Sequence, residues 1–271
     1  MTAKLNERNV VITGGAGLLG VEHAVAAAAA GAVPILVDLS EARLTKAAAA
    51  VKARTNRAVH TRVCDITVRA AVEALKADLE ADVGPVHALV NNAAVNPPMN
   101  AAEGAPAGAF ETYPVESWNA ELAVGLTGAM LCSQVFGAAM AERGEGVIVN
   151  ISSDLGVFAP DHRIYTASRK MEDVSNFKPV SYSVCKTALI GLTKYIATYW
   201  AHRGVRCNAL APGGVFTGQP DVLVEGLKER IPMRRMAKAD EYHGVLVFLL
   251  SDDSAYMTGQ TLVMDGGRSV W

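Results

Sequence analysis

The chain has 271 residues, 51% of them hydrophobic and 6% aromatic, with a formal net charge of −2. That length suits one α/β domain with a few insertions. The near-neutral charge excludes the basic footprint of a nucleic-acid binder and a membrane-seeking surface. Cys64, Cys132, Cys185 and Cys207 form no C-x-x-C pair and have no histidine cluster beside them. Zinc modules and disulfide frameworks are thereby disfavoured, no metal site is expected, and a reducing cytoplasm is the expected home. The longest apolar stretch, residues 24–37, is broken by Gly31 and Pro34 and is too short to span a bilayer. The first ten residues are polar and lack the apolar centre of a signal peptide.

In chain order, a β-branched run at 9–13 leads through a glycine-rich turn into an Ala-rich helix over 18–30. A strand at 34–37, a helix at 41–54, a strand at 58–63, a helix at 68–81 and a strand at 88–90 follow. Residues 96–115, rich in Pro, Gly and Ala, read as a loop insertion. A long helix is predicted at 116–142 and a strand at 147–151. The polar, aperiodic stretch 158–179 is a second insertion. A helix at 182–202, a strand at 205–209, a helix at 240–250 and a strand at 261–263 complete the series. The strands are unbroken apolar runs, the pattern of burial on both faces of a parallel sheet. Repeated β-α alternation implies right-handed crossovers and a doubly wound, seven-stranded Rossmann sheet with helices on both faces. No linker or repeat divides residues 1–271, so a single domain is predicted.

The first strand ends in Thr13-Gly14-Gly15-Ala16-Gly17-Leu18-Leu19-Gly20. Glycines let the backbone approach a pyrophosphate, and the following helix offers free N–H groups and a positive dipole end. Asp38 closes the second strand. A carboxylate there accepts from ribose hydroxyls and repels a 2′-phosphate, so NAD is predicted over NADP. Arg43, close by, works against that preference.

Further motifs follow in order: Asp65-Ile66, Asn91-Asn92-Ala93-Ala94, Asn150-Ile151-Ser152-Ser153, Tyr182-Ser183-Val184-Cys185-Lys186 and Asn208-Ala209-Leu210-Ala211-Pro212-Gly213-Gly214. With the glycine turn, they make the whole chain resemble the short-chain dehydrogenase/reductase superfamily, in its conventional form. The resemblance implies an oxidoreductase of secondary alcohols and ketones. It places Gly14, Ala16, Gly17, Leu18, Leu19 and Gly20 at the cofactor phosphates, and Asp38 and Leu39 at the adenosine ribose. It places Asp65 and Ile66 at the adenine, and Asn92, Ala93 and Ala94 on the ribose side. Pro212, Gly213, Val215 and Thr217 would flank the nicotinamide, with Tyr182 and Lys186 touching its ribose. Residues 222–236 fall where the family has a mobile substrate lid, and the lid is drawn over 215–236.

Tyr182 and Lys186 are four residues apart, which on a helix puts them on one face. A free tyrosine has a pKa of about 10, and a nearby ammonium is expected to favour the phenolate. Ser153 is preferred over Ser152 as the hydroxyl that binds the substrate oxygen, because Ser153-Asp154-Leu155-Gly156 matches the family's Ser-x-x-Gly. Tyr165 is a decoy: Arg169 stands where lysine is wanted and Lys170 is one place too far, so Tyr165 is read as an exposed loop or substrate-loop residue. Two positions depart from the family. Leu18 replaces a usual glycine, leaving Gly14-x-x-Gly17-x-x-Gly20. Aligned from Trp118, Gly125 replaces an asparagine that serves a proton relay, so an extra water or a bend in the helix is expected there.

The segments Phe110-Glu111-Thr112-Tyr113-Pro114, Gly125-Leu126-Thr127-Gly128, Lys178-Pro179-Val180-Ser181-Tyr182 and Asp265-Gly266-Gly267-Arg268-Ser269-Val270-Trp271 are similar to bacterial oxidoreductases of flagellin glycosylation and legionaminic-type sugar synthesis. That likeness implies a sugar, sugar phosphate or polyol substrate; Arg163, Arg169 and Lys170 are candidates to bind a phosphate, but are read first as solvated loop charges. A 3-oxoacyl carrier-protein reductase and a dinucleotide-binding scaffold without turnover are the alternatives. The family resemblance also implies a homotetramer or dimer. His162, His202 and His243 are isolated and take no metal or acid–base role. Met233 and Met236 are expected to pack under the lid.

Overall fold

The computed structural model describes residues 4–95, 109–165 and 177–271. Its strands are β1 (Asn9–Thr13), β2 (Val33–Asp38), β3 (His60–Val63), β4 (Ala88–Asn91), β5 (Gly146–Ile151), β6 (Val205–Pro212) and β7 (Thr261–Met264). All neighbours pair in parallel, in the order β3-β2-β1-β4-β5-β6-β7. The helices are α1 (Leu18–Ala29), α2 (Glu41–Thr55), α3 (Arg69–Asp82), α4 (Val115–Leu122), α5 (Ala129–Arg143), α6 (Val180–Trp200), α7 (Asp221–Arg230) and α8 (His243–Leu250).

Side chains alternate across each strand, and both faces are covered. Val10, Ile12, Val147 and Val149 face α1, α2 and α8, meeting Ala24, Leu44 and Leu246. Val11, Leu89 and Ile148 face α3, α5 and α6, meeting Leu75, Phe136 and Ile196. This two-sided burial is why the strands carry no polar alternation. The stretch Val115–Arg143 is apolar and long enough to cross a membrane by length and composition, but Leu131, Cys132, Phe136 and Met140 are buried, the last three against the sheet.

Three expectations change. The helix predicted at 116–142 is interrupted: residues Ala123–Gly128 form a π-helical turn between α4 and α5. A helix absent from the sequence reading, α7, lies inside the predicted lid and packs Val224, Leu227, Ile231 and Met236 with Ile164 in a small cluster of their own. Met236 is buried there, whereas Met233 is exposed, so only one of the methionine pair packs as expected. The insertions predicted at 96–115 and 158–179 are described only in part, and Arg169 and Lys170 lie outside the described residues.

Candidate active site

The order of strands reverses between β1 and β4, and open α/β sheets bind ligands at such a point. There, beyond the carboxyl ends of the strands, lies a cleft of about 1070 Å³. The glycine turn forms one wall. Gly14 has φ +61°, and a Cβ on it would come within 2.8 Å of Ala93 Cα. Gly17 caps α1 without a side chain, so the first N–H groups of the helix stay open beside Leu18 and Leu19 at the cleft. Ala16 and Gly20 are not on the cleft wall. Ala16 gives its N–H to Asp38 Oδ2 at 3.3 Å. Gly20 sits beneath the turn, where a Cβ would be 2.3 Å from Gly14 O; close packing demands that glycine.

Asp38 is held at the end of β2. Its Oδ1 also accepts from Leu39 N at 2.9 Å, and its side chain is 11% exposed. Arg43 stands on the rim, Nη1 4.0 Å from Asp38 and Nη2 donating to Ala16 O at 3.3 Å. Asp65 turns inward on Thr67, accepting from its N–H at 2.9 Å and its hydroxyl at 2.6 Å. These bonds hold its carboxyl below the usual range. Ile66, Leu39, Ala93 and Ala94 line the cleft. Asn92 lines it too, while its Nδ2 braces the glycine turn, donating to Thr13 O at 3.0 Å and Gly14 O at 3.1 Å. Pro212, Gly213, Val215 and Thr217 form the opposite wall, with Gly213 O accepting from Tyr242 at 3.1 Å. The backbone cradle, the open helix N-terminus, the Asp38 carboxylate on the cleft wall and the apolar flanks fit a dinucleotide.

At the deep end, α6 presents Tyr182 and Lys186, and the residues after β5 present Ser153, all lining the cleft. Ser152 is occupied, donating to Lys186 O at 2.7 Å. Ser153 lies near enough to the Tyr182 phenol to lower its pKa, while its own hydroxyl donates to Asp154 Oδ1 at 2.9 Å. Lys186 is buried and its Nζ donates to Ile151 O at 2.7 Å. Burial pushes its ammonium down to about 8. The expected lowering of the tyrosine is not found in the protein alone. Burial raises Tyr182 above the ordinary tyrosine value, and Ser153 offsets this only in part. The Lys186 ammonium is 5.8 Å from the ring centroid and is directed at a carbonyl.

The structure adds groups that the sequence did not single out. Asp154 and Arg268 form a buried ion pair, Oδ2 to Nη1 at 2.9 Å, with side chains 4% and 6% exposed. Asp154 is thus a bridge from the C-terminal segment to Ser153. Its signal was present in Ser-x-x-Gly, but nothing local marks Arg268 as its partner. Lys178 also lines the cleft, as does Tyr165. Of the two readings offered for Tyr165, its place on the cleft wall agrees with a substrate-loop residue and not with an exposed loop; burial pushes its phenol up to about 12.

Gly125 lies inside the π-helical turn and is buried. A Cβ there would meet Cys185 Sγ at 2.6 Å, and one on Gly128 would meet Ile66 at 2.8 Å. The turn passes too close to α6 and to the loop after β3 for side chains at these two points. π-bulges concentrate at functional sites, and this one adjoins the residue before Lys186. Gly125→Ala is expected to lower stability by about 1–3 kcal/mol through overpacking, with most of it recovered in the double variant Gly125→Ala, Cys185→Ala; denaturant melts check both.

Residues 8–171 match the short chain dehydrogenase family, and residues 171–269 match a second family described as enoyl-(acyl carrier protein) reductase. The chain is 36% identical to a galactitol 2-dehydrogenase (L-tagatose-forming) of Cereibacter sphaeroides, over 99% of this chain and 97% of that protein. It resembles the crystal structure of a gluconate 5-dehydrogenase from Burkholderia cenocepacia J2315 in complex with NADP and tartrate, with TM-score 0.85 at 28% identity, covering 100% and 98% of the two chains. It also resembles an NAD+-bound xylitol dehydrogenase, with TM-score 0.82 at 28% identity, covering 97% and 100%. The chain belongs to the short-chain dehydrogenase family. It is a dinucleotide-dependent oxidoreductase that interconverts an alcohol and a ketone on a small-molecule substrate.

Proposed function

We propose that this enzyme oxidises a secondary alcohol of a polyol or sugar, using NAD. The observation that carries the chemistry is the meeting of Tyr182 and Ser153 at the deep end of the cleft, one helical turn from Lys186. Bound nicotinamide supplies the hydride acceptor. Tyr182 takes the proton of the substrate hydroxyl as general base, and its phenolate is favoured by the positive charge of the oxidised ring. Ser153 hydrogen-bonds the substrate oxygen. Lys186 would hold the nicotinamide ribose and keep a positive charge near the phenol.

Likeness along the whole chain to galactitol and xylitol dehydrogenases supports a polyol. So does a cleft end bearing Asp154, Lys178 and Arg268, groups suited to a hydroxyl-rich ligand. A second reading, a sugar or sugar phosphate of the flagellin-glycosylation or legionaminic-type routes, rests on the sequence likenesses around Lys178 and Arg268. We place residues 215–236 over the substrate as a lid. The apolar cluster that this segment forms with Ile164, apart from the two main cores, supports this, since a segment packed outside the main cores opens at low cost. Self-association through α6 is supported by Tyr195 and Tyr199, both exposed and stacked with ring centroids 5.9 Å apart. Four buried free thiols suit the cytoplasm.

The test is a screen of galactitol, xylitol, aldoses, sugar phosphates, nucleotide-activated sugars and acyl thioesters with NAD(H) and NADP(H). Turnover of polyols with NAD is expected; turnover of thioesters alone sinks the polyol reading. Asp38→Ala is expected to shift the NAD:NADP ratio of kcat/KM toward NADP by about tenfold or more, the loss of one charge–charge repulsion. An unmoved ratio would assign the choice to Arg43 or elsewhere.

A further inference from the structure

Lys178 precedes Tyr182 by the same four residues by which Lys186 follows it. The two lysines are not equivalent. Lys186 Nζ points at Ile151 O and is 5.8 Å from the centroid of the Tyr182 ring. Lys178 Nζ is 3.9 Å from that centroid and lines the same cleft. The family resemblance assigns a role to Lys186 and none to Lys178.

We propose that Lys178 is a positioning residue for the catalytic tyrosine: its ammonium caps one face of the Tyr182 ring and favours the phenolate that accepts the substrate proton. The inference rests on the general-base reading of Tyr182 given above. A cation over an aromatic face is attracted by the ring's negative π cloud. Ionising the phenol spreads negative charge into that ring, so the contact strengthens in the phenolate and shifts the equilibrium toward it. The same contact fixes the ring plane, because rotation would withdraw it from the ammonium.

Other groups act on Tyr182. Ser153 lowers it, while Asp154 and Cys185 raise it. Tyr165 lines the same cleft, and Arg268 neutralises part of the Asp154 charge. On the far side of Lys178, Glu121 of α4 favours the ammonium. Glu121 is itself fixed by Ser181 at 2.6 Å and Tyr113 at 2.9 Å. Burial pushes Lys178 down to about 8. Its charge is therefore present at neutral pH and lost as pH rises through that value, so its effect belongs to the acid limb of the rate profile.

The experiment is the pH profile of kcat/KM for polyol oxidation in the wild type, Lys178→Met and Lys178→Arg, with Tyr182→Phe alongside. In parallel, the ultraviolet absorbance of tyrosinate is titrated in each NAD complex, with the Tyr182→Phe spectrum subtracted; this readout needs no turnover. Lys178→Met is expected to move the acid limb and the tyrosinate midpoint up by about one pH unit, a roughly tenfold loss of kcat/KM at neutral pH, with the alkaline plateau kept. Lys178→Arg is expected to restore both. A purely structural role would lower the plateau and leave the midpoint in place. Lys178→Gln serves if Lys178→Met does not fold. An unmoved midpoint and limb overturn the inference. Unimpaired turnover in Tyr182→Phe overturns the reading beneath it, a result distinguishable from the first.

Discussion

Replacing Tyr182 by phenylalanine is expected to reduce kcat by about 10²–10⁴-fold, the usual contribution of a positioned general base, while nucleotide affinity stays within about threefold. The change removes one oxygen. It leaves the ring under Lys178 and the helix that carries Lys186 in place. What is lost is the phenol oxygen beside Ser153. Steady-state kinetics with a polyol and NAD, together with NADH fluorescence titration, separate the two effects. A variant that binds nucleotide and turns over at the wild-type rate would remove Tyr182 from the chemistry. Because burial raises Tyr182 in the protein alone, the base is expected to be competent only once nucleotide is bound. The acid limb should therefore report on the complex rather than on the free enzyme.

Arg268→Met is expected to cost about 3–5 kcal/mol of stability, the penalty for leaving a buried carboxylate without its counter-charge. The pair is almost wholly enclosed, so water compensates little for the lost guanidinium. The second variant, Arg268→Met with Asp154→Leu, should recover most of that stability, since a buried ion pair can be exchanged for apolar side chains at little net cost. It should not recover activity, because Asp154 also accepts the Ser153 hydroxyl at 2.9 Å. Denaturant melts and polyol turnover on the same two proteins test this split. Equal stability of the single variant and the wild type would show that the pair carries no such weight. The C-terminal segment thus belongs to the wall of the site, through a contact that spans 114 residues of sequence.

The fold was largely legible in the sequence, since a parallel sheet buried on both faces leaves unbroken apolar strands and those runs fell within a residue or three of β1 to β7. The residues offered for the cofactor converge on one cleft, apart from Ala16 and Gly20, whose places in the turn are structural. The π-helical turn was less legible. Gly125 pointed to a bend, but the neighbour that demands a glycine there, Cys185, lies on another helix. α7 was missed because only Val224, Gly226 and Leu227 of its ten residues are buried, which weakens its apolar period.

Local chemistry, then, was set by neighbours in the chain: the glycine turn, the carboxylate ending β2, and the tyrosine and lysine one helical turn apart. Only tertiary structure decided that Ser152 is tied to the Lys186 carbonyl, which way the tyrosine's proton affinity moves, and which distant arginine neutralises Asp154. Those properties depend on burial and on partners brought together across the sheet. Neither is encoded in the spacing of residues along one segment.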